Sequence, residues 1–273
     1  MKTNKFLFAG LLLCSLATES FSQNTKLVVR ARAKDAKFIG TKHAGAYGNV
    51  LVSVTDALTG KVLAKGFTEG GSGDTKLLLQ TPINRYQPIT DDSTAKFEAQ
   101  LAIDEPTLVT VSLAAPSNKK RAKTSQNADF NYKPVESIVS STQVWVIPGK
   151  DIDGEGLILE VPGLVVDIYQ DKNVVSLGSL ADKKLTVKSH LALQCGCVIT
   201  AGGLWNADNI EVKGVLKQAG KKVQDISLKL VGPSLYEGDF TNIEKKGKYE
   251  VQVYAYDSVT KNTGVDRINI EVN

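Results

Sequence analysis

Apolar and polar residues alternate along most of the chain with a period of two. Runs rich in Val, Ile and Thr recur about every ten residues, separated by Gly, Asp, Asn and Pro. A period of two is typical of strands with one buried face, whereas an amphipathic helix repeats its apolar residues every three to four positions. No stretch has a helical pattern of convincing length. The pattern therefore predicts an all-β protein built from β-sandwiches.

The first half of the chain contains a series of predicted strands. We expect them at residues 27–38, 50–55, 61–67, 76–80, 96–103, 107–114, 141–149 and 156–170. The first of these strands is predicted to have a polar outer face. Asp56 and Gly60 bound a short hairpin loop, because Asp starts turns and Gly tolerates a positive φ. This hairpin, GNVLVSVTDALTGKVLAKGFT, resembles that of transthyretin-like, carboxypeptidase-regulatory-type modules of bacterial surface proteins.

The second half of the chain alternates more clearly. Strands are predicted at residues 184–199, 210–218, 223–232, 235–243, 247–258 and 264–273. The last two, with the sequence GKYEVQVYAYDSVTKNTGVDRINIEV, resemble the final hairpin of bacterial immunoglobulin-like domains. The resemblance implies an immunoglobulin-like sandwich in which Tyr249 takes the tyrosine-corner position. It implies little about function, since sandwiches carry many unrelated activities.

The first 22 residues have the pattern of a signal peptide. Lys2 and Lys5 precede a short apolar segment, and small residues then lead to a predicted cleavage site before Gln23. The segment Leu11–Cys14 outlines a lipobox, so a lipid anchor at Cys14 is the alternative, although Leu13 is bulky for that motif. No later stretch is long and apolar enough to span a membrane. We therefore expect a periplasmic or secreted protein.

The mature chain is predicted to form two domains. We expect a prealbumin-like or immunoglobulin-like sandwich over 23–170 and an immunoglobulin-like sandwich over 171–273. The chain carries 33 Lys and Arg against 29 Asp and Glu, a net charge of +4, which is too weak for a typical nucleic-acid binder. Lys119, Lys120 and Arg121 lie in the polar interval 117–137, which is either a solvated loop or a contact site for an anionic glycan or lipid headgroup.

Only Cys195 and Cys197 remain once the leader is removed. If 185–197 were one regular strand, both cysteines would face the core and His190 the opposite side. They could form a buried pair, a disulfide that is easily reduced because i and i+2 lie near the bridging limit, or a redox site. They could also bind Cu(I), or less readily Zn(II), with His190 as third ligand. Metal and structural pair therefore both stay open.

Other candidate chemistry is sparse. Trp205 is interpreted as a packing residue, with a ligand-stacking surface as the alternative. The segment EGGSGDTK at 69–76 lacks the phosphate-loop spacing, and the chain contains no nucleophile elbow, zinc-protease motif or dinucleotide fingerprint. The sequence therefore favours a non-enzymatic binding or structural accessory protein. It would contact an unknown protein or glycan at the cell envelope through sheet faces and the loops 40–48, 69–75, 117–137 and 195–209.

Overall fold

The computed structural model describes residues 23–40, 50–116, 137–169 and 174–273. The predicted signal peptide and the alternative lipid anchor at Cys14 lie outside these ranges. Strands dominate the described residues, which contain one short helix and a few 3₁₀ turns. The chain folds as two β-sandwiches in tandem, as the alternating pattern predicts.

The first sandwich packs a three-stranded sheet against a four-stranded sheet. Its strands are β1 (Gln23–Ala33), β2 (Leu51–Asp56), β3 (Val62–Phe67), β4 (Phe97–Ile103), β5 (Thr107–Pro116), β6 (Ser137–Val146) and β7 (Ile152–Val161). The sheet orders are β4-β1-β7 and β3-β2-β5-β6. Strand β1 runs antiparallel to β4 and parallel to β7. Alternate residues of β2 and β5 are buried, including Val52, Val54, Val109 and Val111, so the core lies between the sheets.

The second sandwich has the strand order of the immunoglobulin fold. Its strands are β8 (Leu164–Tyr169), β9 (Val174–Val175), β10 (Leu185–Leu193), β11 (Ile210–Gln218), β12 (Lys221–Ser227), β13 (Lys229–Gly232), β14 (Leu235–Phe240), β15 (Gly247–Asp257) and β16 (Thr263–Val272). One sheet has the order β13-β14-β10-β8 and the other β12-β11-β15-β16-β9. These orders match the ABED and CFG sheets, with β12 and β9 added at the edges.

The tyrosine corner implied by the final hairpin is confirmed. The hydroxyl of Tyr249 donates a hydrogen bond of 2.7 Å to the carbonyl oxygen of Lys245, four residues upstream. Tyr249 is otherwise buried in the core. This bond fixes the segment that leads into β15 against the end of the sandwich.

The strand predicted at 76–80 is wrong, because this segment forms the helix α1 (Thr75–Leu79). The carboxylate of Asp74 accepts a hydrogen bond of 2.6 Å from the backbone N–H of Leu77, which caps the helix. Leu78 is buried in a small cluster with Phe38 and Ala95. Local capping and one buried anchor outweigh the strand propensity of the short apolar run.

The predicted polar outer face of the first strand is also wrong. Arg30 lies on that face and is only 2% exposed. Its guanidinium donates to the carbonyl oxygens of Thr94, Ala95, Gly154 and Glu155, at 2.5 to 3.3 Å. Burial lowers the pKa of Arg30, and the nearby Glu155 opposes this shift. The buried arginine therefore holds the segment before β4 against the β1–β7 pair through hydrogen bonds.

The predicted domain boundary after residue 170 differs from the sheet pairing. Strand β8 ends at Tyr169, yet it pairs with β10 in the second sandwich. The two sandwiches meet at a joint around Gly163, whose backbone N–H donates to the side-chain oxygen of Asn262 at 2.9 Å. The amide group of Asn262 in turn donates to the carbonyl oxygen of Lys34 at 3.3 Å. Asn262, in the turn between β15 and β16, thus bridges the residue that follows β1 and the link between β7 and β8.

Candidate functional site

The two cysteines close a tight turn at the end of β10. They form a disulfide, with their Cα atoms 5.4 Å apart, and both are buried. The backbone N–H of Gly196 donates to the carbonyl oxygen of Leu193 at 2.8 Å, and Gly196 has a φ of 79°. The predicted continuous strand over 184–199 is therefore wrong, since Val198 folds back to pair with Ala192. Of the alternatives from the sequence, the paired cysteines are the one present.

His190 lies within β10, opposite Leu235 and Asp167 of the neighbouring strands. The cysteines lie beyond the end of that strand. Within the described ranges, no group of three or more His, Cys, Asp or Glu side chains could hold a metal ion. Metal binding by Cys195, Cys197 and His190 stays a prediction.

Trp205 lies at the joint between the sandwiches. Its indole N–H donates a hydrogen bond of 3.2 Å to the carbonyl oxygen of Asp35, and its half-buried ring packs against the core. This geometry gives Trp205 a structural contact, and its use as a ligand-stacking surface stays a prediction. Lys119, Lys120 and Arg121, like most of the predicted loop 40–48, lie outside the described residues.

Tyr236 is a buried polar side chain on β14. Burial raises the pKa of Tyr236 to about 12, and the carboxylate of Asp208 adds to this shift. The phenol therefore keeps its proton at neutral pH. It offers a hydroxyl in the core and no base or nucleophile.

A broad uncharged surface covers the outer side of β2, β5 and β6 in the sheet β3-β2-β5-β6. We call it the neutral face and define it by Ser53, Thr55, Leu108, Thr110, Ser112, Val139, Ser141, Gln143 and Trp145. The strand register aligns Ser53, Ser112 and Ser141 in one row across the sheet. The next row contains Thr55, Thr110 and Gln143. Lys65 lies opposite Ser53 at the margin of this face.

Large apolar side chains project from the neutral face along β6. Trp145 is 56% exposed and Val139 is 53% exposed, although both belong to a regular strand. The amide of Gln143 donates to the hydroxyl of Thr110 at 3.2 Å, which links two members of one polar row across β6 and β5. This surface was not predicted from the sequence. The alternation STQVW at 141–145 was a signal for it, since it places Trp145 on the same face as Gln143 and Ser141.

A groove of about 520 Å³ lies beside the 69–75 loop, on the first sandwich. Its lining includes Glu69, Asp92, Lys96 and Glu98. Glu98 forms ion pairs of 3.1 Å with Lys96 and with Lys26. These lysines hold the pKa of Glu98 below its usual range through hydrogen bonds and charge. The groove is therefore partly neutralised by its own side chains.

Comparisons with known proteins give no family for this chain. No family model matches it, and no curated relative matches it. It is similar to an engineered protein at 14% identity over 47% of this chain, with a TM-score of 0.29, and spans only 24% of that protein's length. It is also similar to fibronectin(III)-like modules of Clostridium thermocellum CbhA, at 11% identity over 90% of this chain and 88% of that one, with a TM-score of 0.26.

A third similar structure is the chicken interferon gamma receptor alpha chain. The identity is 8% over 92% of this chain and 98% of that one, and the TM-score is 0.29. TM-scores this low carry no argument about function. The assignment of the fold therefore rests on the strand order itself. Within the described part of the chain, no helix has the length and apolar character needed to cross a membrane.

Proposed function

We propose that this chain is an exported, non-enzymatic binding or structural accessory protein of the periplasm or cell surface. It binds a partner protein through the neutral face of its first sandwich. The exposed Trp145 within an uncharged sheet surface is the observation that carries the proposal. Export rests on the leader sequence.

The chemistry of the neutral face suits a protein partner. The cores of protein interfaces are depleted of charged residues and enriched in aromatic residues, because charges lose hydration when they are covered. Trp145 offers a large apolar anchor of the kind that dominates binding energy. Leu108 lies opposite it on β5 and extends the apolar contact. The Ser and Thr rows supply short hydroxyls, which can hydrogen-bond to a partner at a small cost in side-chain entropy.

The edge strand of the same sheet supports this proposal. Strand β6 is the last strand in the order β3-β2-β5-β6. Edge strands are usually protected from other chains by charged residues, Pro or bulges. The ten residues of β6, SIVSSTQVWV, contain no charge and no Pro. Among the described residues β6 pairs only with β5, so a partner can approach both its outer face and its other edge.

Site-specific photo-cross-linking tests the proposal. A photoreactive residue replaces Gln143, and the mature chain is incubated with the envelope fraction of the cells that produce it. We expect one discrete cross-linked protein, which is lost in Trp145→Ala and in Ser112→Arg. The matched control is Val223→Ala, a similarly exposed position on β12 of the second sandwich. If both variants give the same cross-linked product as the chain that carries only the photoreactive residue, the proposal is wrong.

A further inference from the structure

A second surface lies on the outer side of the five-stranded sheet, in the other sandwich. An open groove of about 480 Å³ crosses β11, β15 and β16. We call it the basic groove and define it by Lys217, Lys248, Glu250, Gln252, Arg267 and Asn269. The turn between β11 and β12 closes one end with Ala219 and Gly220. No motif in the sequence indicates this site, because its residues come from three separate strands.

Positive charge dominates the basic groove. Three cationic side chains line it, against the single carboxylate of Glu250. Glu250 is engaged by Lys217 at 3.5 Å and accepts a hydrogen bond of 2.6 Å from the amide of Gln252. Lys248 and Arg267 are exposed and form no ion pair with any residue in the described part of the chain. Glu271 of β16 lies opposite Lys248 in the strand register without forming an ion pair with it, so both cations can still contact an anionic ligand.

The backbone around the groove is held in place. The hydroxyl of Tyr249 donates to the carbonyl oxygen of Lys245, and the amide of Gln218 donates to that of Lys246 at 3.3 Å. These two bonds fix the segment 245–248 against the end of β11. Lys248 itself begins the row of outward side chains on β15. The cationic groups therefore lie on regular strands and on a segment held by hydrogen bonds, which favours a preorganised binding surface.

The same row continues from the groove towards two tyrosines. Outward positions of β15 are Lys248, Glu250, Gln252, Tyr254 and Tyr256. Tyr254 lies opposite the exposed Val265 on β16. Because a strand rises about 3.4 Å per residue, this row spans about 27 Å. The row therefore presents charged side chains at one end of β15 and aromatic rings at the other.

We infer that the basic groove binds a segment of an acidic glycan that lies along β15. Its acidic groups contact Lys248 and Arg267, and its sugar rings continue over Tyr254. Charge-assisted hydrogen bonds hold the anionic groups, and the amides of Gln252 and Asn269 suit sugar hydroxyls. The weak net charge of +4 does not favour a nucleic acid. This inference concerns a different sandwich from the neutral face and does not rest on the proposed function.

Calorimetric titration of the mature chain with an octasaccharide of uronic acids tests the inference. We expect saturable binding at one site, and no binding of a neutral glucose octasaccharide of the same length. Arg267→Ala and Lys248→Ala should each weaken the binding about tenfold, which corresponds to about 1.4 kcal/mol and to the loss of one exposed hydrogen bond to a charged group. The matched control Lys229→Ala removes an exposed charge from β13, in the other sheet, and should leave the affinity unchanged.

A second variant separates a glycan site from a general anion site. Tyr254→Ala should weaken binding of the uronic-acid octasaccharide and leave the binding of inorganic polyphosphate unchanged. If polyphosphate binds as tightly as the octasaccharide, the groove recognises charge alone and the inference is wrong. Capture of the chain by phosphatidylglycerol vesicles without octasaccharide binding also overturns it. Circular dichroism of each variant checks folding, and Arg267→Gln replaces Arg267→Ala if that variant is unfolded.

Discussion

The outer faces of the two sandwiches differ sharply, although their cores are built in the same way. In both, apolar residues alternate along the strands and point between the sheets. The neutral face of the first sandwich carries Ser, Thr and Trp145, whereas the basic groove of the second carries Lys, Arg and Glu. The difference shows that alternation fixes only every second position. The remaining positions are free to carry a binding chemistry of their own.

The two sandwiches also differ in how they fasten their irregular segments. The first uses the buried cation of Arg30, which holds several carbonyl oxygens at once. The second uses the single hydroxyl of Tyr249. Removing a side chain that makes many hydrogen bonds should lower the free energy of unfolding strongly, whereas removing one that makes a single hydrogen bond should lower it little. Substitutions in each sandwich can test this contrast directly.

The largest effect is expected for Arg30→Met. This change leaves four carbonyl oxygens of the first sandwich without their donor, and we expect a loss of about 3 kcal/mol or more in the free energy of unfolding. Hydrogen exchange should increase over 75–103 and stay unchanged over 210–273. Arg85→Met, in an exposed loop position, is the control. Equal increases in both sandwiches would contradict the view that Arg30 acts locally.

A smaller effect is expected for Tyr249→Phe in the second sandwich. The change removes one hydrogen bond to the carbonyl oxygen of Lys245 and keeps the ring, so the free energy of unfolding should fall by about 1 kcal/mol. Urea denaturation measures this loss. Tyr256→Phe is the control, because Tyr256 lies on the exposed face of the same strand. An unchanged denaturation midpoint in Tyr249→Phe would show that the corner bond contributes nothing.

The smallest effect is expected at the joint, for Asp35→Asn. Partial burial, and then the carboxylate of Asp257, raise the pKa of Asp35. Because the pKa of Asp35 is higher in the folded than in the unfolded chain, the protonated carboxyl favours folding below the unfolded-state pKa. This stability is lost as the pH rises through the folded-state pKa. Asp35→Asn should therefore stabilise the chain at pH 7, by less than about 0.5 kcal/mol because solvent screens the charge, and have no effect at pH 2 to 3.

Asp56→Asn is the control of opposite sign. Backbone hydrogen bonds from Thr59 and Leu58 lower the pKa of Asp56. Its contribution is present above the unfolded pKa and is lost as the pH falls, so this substitution should destabilise the chain at pH 7. Thermal unfolding of both variants across pH 2 to 7 measures the two trends. The same pH trend in both variants would refute the assignment for Asp35.

The sequence predicts the regular parts of this molecule well and the irregular parts poorly. The hairpin around Asp56 and Gly60 and the final hairpin with its tyrosine corner follow from local patterns. The buried Arg30 does not, because its partners lie more than 60 residues away along the chain. The turn at Gly196 was not predicted because the apolar pattern resembles one continuous strand. A positive φ at this single glycine reverses the direction of the chain.

Surface sites were harder to predict than the fold for a related reason. Lys217, Lys248 and Arg267 are unremarkable as separate lysines and arginines, and only the register of three strands brings them to one groove. Register depends on long-range pairing, which alternation alone leaves open. The buried cysteine pair was one of several alternatives that the sequence left open, and it could be proposed because both partners lie within one short stretch.

The chain contains two tryptophans, and the fold places them in different settings. Trp145 projects from the neutral face into solvent, and Trp205 lies half-buried where the sandwiches meet. Indole emission shifts to shorter wavelength as water is removed from the ring. Each tryptophan can therefore serve as an intrinsic optical reporter, one for occupancy of a surface and one for opening of the joint, once the other is replaced by phenylalanine.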